Sequence, residues 1–354
     1  VSATNFLRRC VSTPLNAAVT AAILIWLGMT LPGLVRWTLV DAVWSGAGPQ
    51  ACAGVDAACW LFIKDRFGQI LFGLYPPSER WRPILCLIIA IVGVAIFALP
   101  WRRRKALAAF GCTSLYAIVA TILLRGGWFG LWPAPTTQWG GIMLTTIVAA
   151  CTIATSLPVG LALALARRSN LPILASVAAF YIDVMRGLPL VGVLFLAIVL
   201  FPLFAPPGVE INVLLRALIA FSLFNAAIMA EVIRGGLQSV PKGQMEAALS
   251  LGLRNRNALV LCVLPQALRA ALPGIVNVSI SIIKETTIIL IAGLFDFLGV
   301  LQGALIDPAW NIGDQIRQTA YFFAGAVFFI ICFGLSCYSA SIERRLSKGE
   351  RARA

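Results

Sequence analysis

Deep in an apolar stretch the chain reads Lys284-Glu285-Thr286-Thr287. An ammonium, a carboxylate and two hydroxyls side by side complement a zwitterion, which carries one charge of each sign. A plainer reading stands beside it, in which Lys284 and Glu285 satisfy each other or the backbone at a helix break. Charges inside a bilayer are costly and mark function by default. Asn277, Ser279 and Ser281 add polar atoms one to two turns earlier. They suit a water-filled path or bonds to a neighbouring helix. Asn225, Glu231 and Arg234 form a second group. Glu231 and Arg234 have the spacing of a salt bridge on one helix face, and that role is favoured over substrate binding. Asn225, Glu231, Asn277, Lys284, Glu285, Thr286 and Thr287 are the candidate substrate pathway.

Between these groups runs a more polar island, Val240 to Pro265. Pro241 and Gly243 break the chain, and Gln244 to Leu253 then reads as a short helix. Glu246 falls near its N-terminus, where a carboxylate suits the helix dipole. Ala247 and Ala248 leave a smooth surface that another protein can approach. Gly252 ends or kinks the helix and Pro265 closes the segment. In a membrane chain such an island is either a plain loop or a seat for a soluble partner.

Composition fixes the setting. The chain has 354 residues, 60% of them hydrophobic and 12% charged, with a mean hydropathy of +0.91. No soluble domain hides that much apolar surface, so the fold is an all-α polytopic membrane protein. The net charge of +14 fits an excess of basic residues on the cytoplasmic side better than nucleic-acid binding. There is no histidine, which removes the commonest general base and most zinc sites. No G-x-x-x-x-G-K-[ST] phosphate loop occurs either, so ATP chemistry would belong to another chain. No metal site is expected. Cys86, Cys112, Cys151, Cys332 and Cys337 lie in apolar runs and read as core residues. Cys52 and Cys59 lie in a loop placed outside the membrane, where a disulfide and a pair of free thiols are both open readings.

About eight spans can be read from the apolar runs. They are roughly 15–31, 83–99, 107–124, 139–166, 187–204, 213–232, 272–294 and 321–342. The first reads as a retained span, not a signal peptide. Trp60, Phe62, Phe67, Phe72 and Tyr75 in the loop 44–82 suit a membrane-surface layer. Residues 173–185, half polar with Asp183 and Arg186, suit the cytoplasmic surface. Basic residues at 8–9, 102–105, 167–168, 234–269 and 344–353 outnumber those of the opposite side, which puts the island and both termini in the cytoplasm.

Glu246-Ala247-Ala248, with Gly252 and Leu264-Pro265 at fixed distance, resembles the EAA loop of ATP-binding-cassette (ABC) import permeases. The longer run A-x-x-A-E-V-I-R-G-G-L-Q-S-V-P-K-G-Q-x-E-A-A from Ala227 to Ala248, with L-P-Q-A-L-R at 264–269 and R-G-L-P at 186–189, is similar to the polar amino acid permease family. Cys262 and Met245 depart from its usual aliphatic and aromatic residues. The resemblance covers about 141–345. A long extension before that region resembles the larger permease subunit of general L-amino acid importers. It implies an extension with three spans at 1–138, a type I permease core of five spans at 139–345, and a basic tail at 346–354. Gly243, Glu246, Ala247, Ala248, Gly252 and Pro265 become the ATPase-coupling residues. The implied partners are an ABC ATPase dimer, a second related permease and a periplasmic amino-acid-binding protein. No cofactor is expected in this chain, ATP and Mg being bound by the ATPase. The implied role is the path of an ATP-driven importer, not an enzyme, in a bacterial inner membrane. An ion-coupled secondary transporter is the alternative, although no internal repeat supports it.

Overall fold

A computed structural model of the protein describes residue 5, residues 10–98 and residues 115–351 other than 117, 205, 207 and 209. Helices organise these residues: α1 (Pro14–Val35), α2 (Trp60–Phe72), α3 (Trp81–Ala98), α4 (Gly141–Arg167), α5 (Pro172–Gly187), α6 (Leu190–Phe195), α7 (Val213–Ser239), α8 (Lys242–Ser250), α9 (Asn255–Ala258), α10 (Leu264–Glu285), α11 (Phe297–Leu305) and α12 (Asp314–Arg351), and residues 118–125 are helical as well. Five helical stretches are long and apolar enough to cross a bilayer, namely Pro14–Val40, Gly141–Arg167, Val213–Ser239, Asn255–Ala292 and Asp314–Arg344. Helices α5 and α6, the latter continuing to Phe204, form a pair bent by 104° that makes a sixth if read as one broken span. Leu188 sits at the bend in extended backbone because Pro189 follows it. The expected count of eight is therefore not reached among the described residues. Half of the expected third span, with the basic run 102–105 and Cys112, lies outside them. Of the other expected core cysteines, Cys86 is buried, but Cys151 and Cys337 are exposed. Thiols tolerate the apolar outer face of a membrane helix as readily as a core.

The chain divides into two compact units, Val1–Phe67 with Gln302–Phe323, and Gly68–Leu301 with Ala324–Ala354. In the second unit α7 is the central helix, packed against both α4 and α10. Small residues permit this. A methyl group at Gly160 of α4 would stand 2.8 Å from Met229 Cβ and 2.9 Å from the Ala226 carbonyl oxygen of α7. One at Gly236 would stand 2.4 Å from the Ala267 carbonyl oxygen of α10. Without water to drive helices together, such close backbone approach gives the dispersion contact that does. Met229 and Ile233 of α7 are fully buried in the core beside these crossings.

In the first unit α1 begins at a Thr13 cap, whose hydroxyl accepts the Asn16 N–H at 3.1 Å, with Pro14 at the first helical position. No side chain of α1 is buried. The remainder of the unit has a true core. Cys52 and Cys59 form a disulfide, which decides between the two readings left open. Phe62 packs edge-on against Trp310, and Trp60 packs against Phe322 and Phe323. Arg66 pairs with Asp307, whose carboxyl is held below its ordinary range by the Ala309 N–H and by Arg66. The expected membrane-surface layer is corrected in part. Phe62, and Tyr75 in the other unit, are buried, because a loop with its own core turns aromatics inward.

Candidate functional site

Island residues form a helix for local reasons. Pro241 precedes α8, which starts at Lys242, two residues before the expected Gln244. Glu246 consequently lies in the second turn, away from the N-terminal dipole, which corrects its expected position. The other end closes on a Schellman motif. Gly252 takes φ +82°, its N–H donates to the Leu249 carbonyl at 2.9 Å, and the Leu253 N–H donates to the Ala248 carbonyl at 3.2 Å. That stops the helix at Ser250, short of the expected Leu253. Ala248 is 4% exposed and faces inward, so Ala247 alone of the two alanines presents its surface outward. Gly243, Glu246 and Gly252 are exposed, with Leu251 at 84% beside them. Gln244 Oε1 accepts from Gln266 Nε2 at 3.0 Å and ties α8 to α10. Pro265 does not close the segment. Helix runs through it from Asn255, because the wide turn Leu259–Val263 absorbs the hydrogen bond that proline cannot donate.

At the ends of α4, α5 and α7 the structure gathers charges that are far apart in the chain. Glu231 receives Arg167 at 2.7 Å on one carboxylate oxygen and Arg234 at 2.7 Å on the other. Arg186 stands 3.7 Å away, and Arg167 reaches Asp183 at 3.2 Å. Three guanidinium groups face two carboxylates, an excess of one positive charge. The Glu231 side chain is 15% exposed, whereas those of Arg186 and Asp183 are 48% and 59% exposed. Sequence reasoning found the Glu231–Arg234 pair but not the other members. The available signal was that Arg167, Asp183, Arg186 and Glu231 all fall near the same end of their helices.

Midway along the bundle, α10 ends at Glu285 and tightens into a 3-10 turn over Thr286–Ala292. Lys284 and Glu285 form no salt bridge among the described residues. The two side chains leave the helix about 100° apart. Glu285 lies 3.5 Å from Asn225 Nδ2 of α7, while Lys284 is exposed. Thr286 is buried, and its hydroxyl donates to the Ile283 carbonyl, as the Thr287 hydroxyl does to Lys284. Both threonines thus serve the helix break. Asn225 is fully buried; its Oδ1, like Thr152 Oγ1, has no hydrogen-bond partner among the described residues. Asn277 is exposed, two turns before Lys284 on the same face of α10.

Asp296 was not singled out by sequence. It is fully buried, its Oδ1 caps α11 by accepting the Gly299 N–H at 2.9 Å, and burial pushes its carboxyl up to about 6. The joint around it is backbone-built. The Gly141 N–H donates to the Phe295 carbonyl at 3.0 Å, and the Phe297 N–H donates to Thr145 Oγ1 at 3.0 Å.

A helical bundle with charge gathered at helix ends, a polar contact between α7 and α10 midway along α7 and an exposed polar helix fits a transport protein of the permease class. The pattern of the family described as binding-protein-dependent transport system inner membrane component matches residues 156–348, and the chain belongs to that family. Among its relatives, the chain is 43% identical to the inner membrane amino-acid ABC transporter permease protein YhdY of Escherichia coli K12, over 92% of this chain and 88% of that one. It is 33% identical to the glutamate/glutamine/aspartate/asparagine transport system permease protein BztC of Rhodobacter capsulatus, over 96% of this chain and 92% of that one. A solved structure described as an amino acid ABC transporter with histidines matches with a TM-score of 0.50 and 29% identity, covering 58% of this chain and 92% of that one. The fold is that of an ABC importer permease in the inner membrane, and the ion-coupled alternative is set aside. As a permease subunit the chain moves its cargo without converting it.

Proposed function

We propose that the chain is the permease subunit of an ATP-driven importer for L-amino acids, with its cargo passing along α10 and α7. The observation that carries this reading is Lys284. It is exposed on a helix long enough to cross the bilayer, in line with exposed Asn277 and Ala270 at intervals of seven residues. A lysine facing lipid at mid-depth costs on the order of 3 kcal/mol. That face of α10 is therefore better assigned to a water-filled path, closed on its far side by a second, related permease. Asn225, with a buried acceptor to spare, and Glu285 line the same level. Further along, Arg186 and Asp183 are the more exposed members of the charge cluster, and they can offer opposite charges to a zwitterion by exchanging their partners Glu231 and Arg167.

The exposed face of α8 is the coupling element. Gly243, Glu246, Ala247 and Gly252 are positioned to enter a cleft of an ATPase dimer, with exposed Pro265 beside them in α10, while buried Ala248 and the Gln244–Gln266 bond seat the helix. The island and both termini then lie in the cytoplasm, residues 41–82 lie outside, and a soluble amino-acid-binding protein delivers cargo from there. ATP and Mg belong to the ATPase. Alternating access follows as the ATPase pair favours one arrangement of the helices.

Reconstitution with the ATPase, the second permease and the binding protein tests this. ATP-dependent uptake of a mixed amino-acid pool is expected, and Lys284→Ala is expected to lower uptake with assembly intact. Uptake at the wild-type rate in Lys284→Ala would remove the residue from the pathway.

A further inference from the structure

Cys52 and Cys59 are both fully buried, and both are held to one face of α12 through their backbones. Gln315 Nε2 donates to the Cys52 carbonyl oxygen at 2.7 Å. The Cys59 N–H donates to Thr319 Oγ1 at 2.9 Å. Gln315 and Thr319 stand one helical turn apart, and the Thr319 hydroxyl donates its own proton to the Gln315 carbonyl at 2.7 Å. The disulfide loop thus grips the first turns of α12 at two points, with Phe62 against Trp310 and Arg66 on Asp307 beside them. The gripped residues lie within the segment that matches the family, and the cysteines lie before it.

We propose that the Cys52–Cys59 disulfide staples the N-terminal extension to the start of α12, so that import depends on it. The inference rests on the outward placement of residues 41–82, since disulfides persist in the oxidising compartment. The oxidant is a disulfide-exchange donor of that compartment. One cysteine thiolate attacks the donor disulfide, forming a mixed disulfide and releasing one donor thiolate. The second cysteine thiolate then attacks the mixed disulfide, closing Cys52–Cys59 and releasing the donor as a dithiol. Two electrons pass to the donor, and the two cysteine protons end on its thiols. Because both sulfurs are buried afterwards, the exchange precedes closure of the unit, and the bond becomes a permanent staple and not a switch.

The full chain, purified with its partners, would be denatured without reductant, treated with N-ethylmaleimide, digested and analysed by mass spectrometry. A cross-linked peptide joining Cys52 and Cys59 is expected, surviving prior exposure of the native complex to a mild reductant. Alkylated Cys52 and Cys59 would overturn the proposal while leaving the transport reading untouched. Import and limited proteolysis within residues 44–59 would then be compared in Cys52→Ala/Cys59→Ala and in Thr319→Val, which keeps both cysteines. Each is expected to import less and to be cleaved faster, and the triple variant is expected to be no worse than the more impaired of the two. Wild-type import and cleavage in the cysteine variant, or fully additive effects in the triple variant, would show that the disulfide does not act through α12.

Discussion

Glu231 and Glu246 are the same residue type, fifteen positions apart on consecutive helices, and they meet opposite fates. Glu231 is folded into a knot of arginines drawn from three helices, and its charge is met within the chain. Glu246 is exposed on α8 and forms no salt bridge among the described residues. A carboxylate satisfied at home holds helices together. One left facing outward is available to another protein. On the proposed reading, the difference separates the part of the molecule that maintains the bundle from the part addressed to a partner.

Reversing the outward charge should give the largest effect on transport. Glu246→Lys is expected to abolish import and substrate-stimulated ATP hydrolysis while thermal unfolding of the purified subunit is unchanged. A variant that imports normally would place the partner elsewhere. The inward charge should behave in the opposite way. Glu231→Ala leaves three guanidinium groups facing Asp183 alone, and is expected to cost about 2–3 kcal/mol of stability, read from denaturant unfolding in detergent. An unchanged midpoint would mean that the knot is ornamental. Gly252→Ala probes the geometry of the outward helix without touching its charge. Its φ of +82° disfavours any side chain, so a loss of about 1 kcal/mol is expected, together with weaker ATPase copurification.

Asp296 extends the comparison to a buried carboxylate that forms no salt bridge among the described residues, and its effect is confined to one range of pH. Its folded-state value of about 6 lies above its ordinary 3.8, so between these values the native state holds more proton than the unfolded chain. Stability from this group is present below about 4 and falls as pH rises to about 6, then levels off. In Asp296→Asn that part of the stability profile should flatten. An identical slope in the variant would assign it to another group.

Much of this was legible in the chain itself. Apolar runs located α1, α4, α7 and α12, because a helix in lipid must be apolar for its full length whatever it touches. The island stood out by polarity, and Gly252 marked the end of its helix, because only a residue free at positive φ makes that turn. The outlook of each residue was less legible. Ala247 and Ala248 are adjacent and identical in sequence, yet one is exposed and the other covered, since a helix turns about 100° per residue.

Sequence alone determined that this is a helical membrane protein with a soluble island, for hydropathy and turn chemistry are local properties. Tertiary structure decided which charges meet. Arg167, Asp183, Arg186 and Glu231 converge only when α4, α5 and α7 pack, and Cys52 and Cys59 reach α12 across more than half the chain. Pairing of distant charges depends on the packing of α4 and α5 against α7, with the close approach at Gly160, and such geometry is written in the packing of neighbours, not in the order of residues.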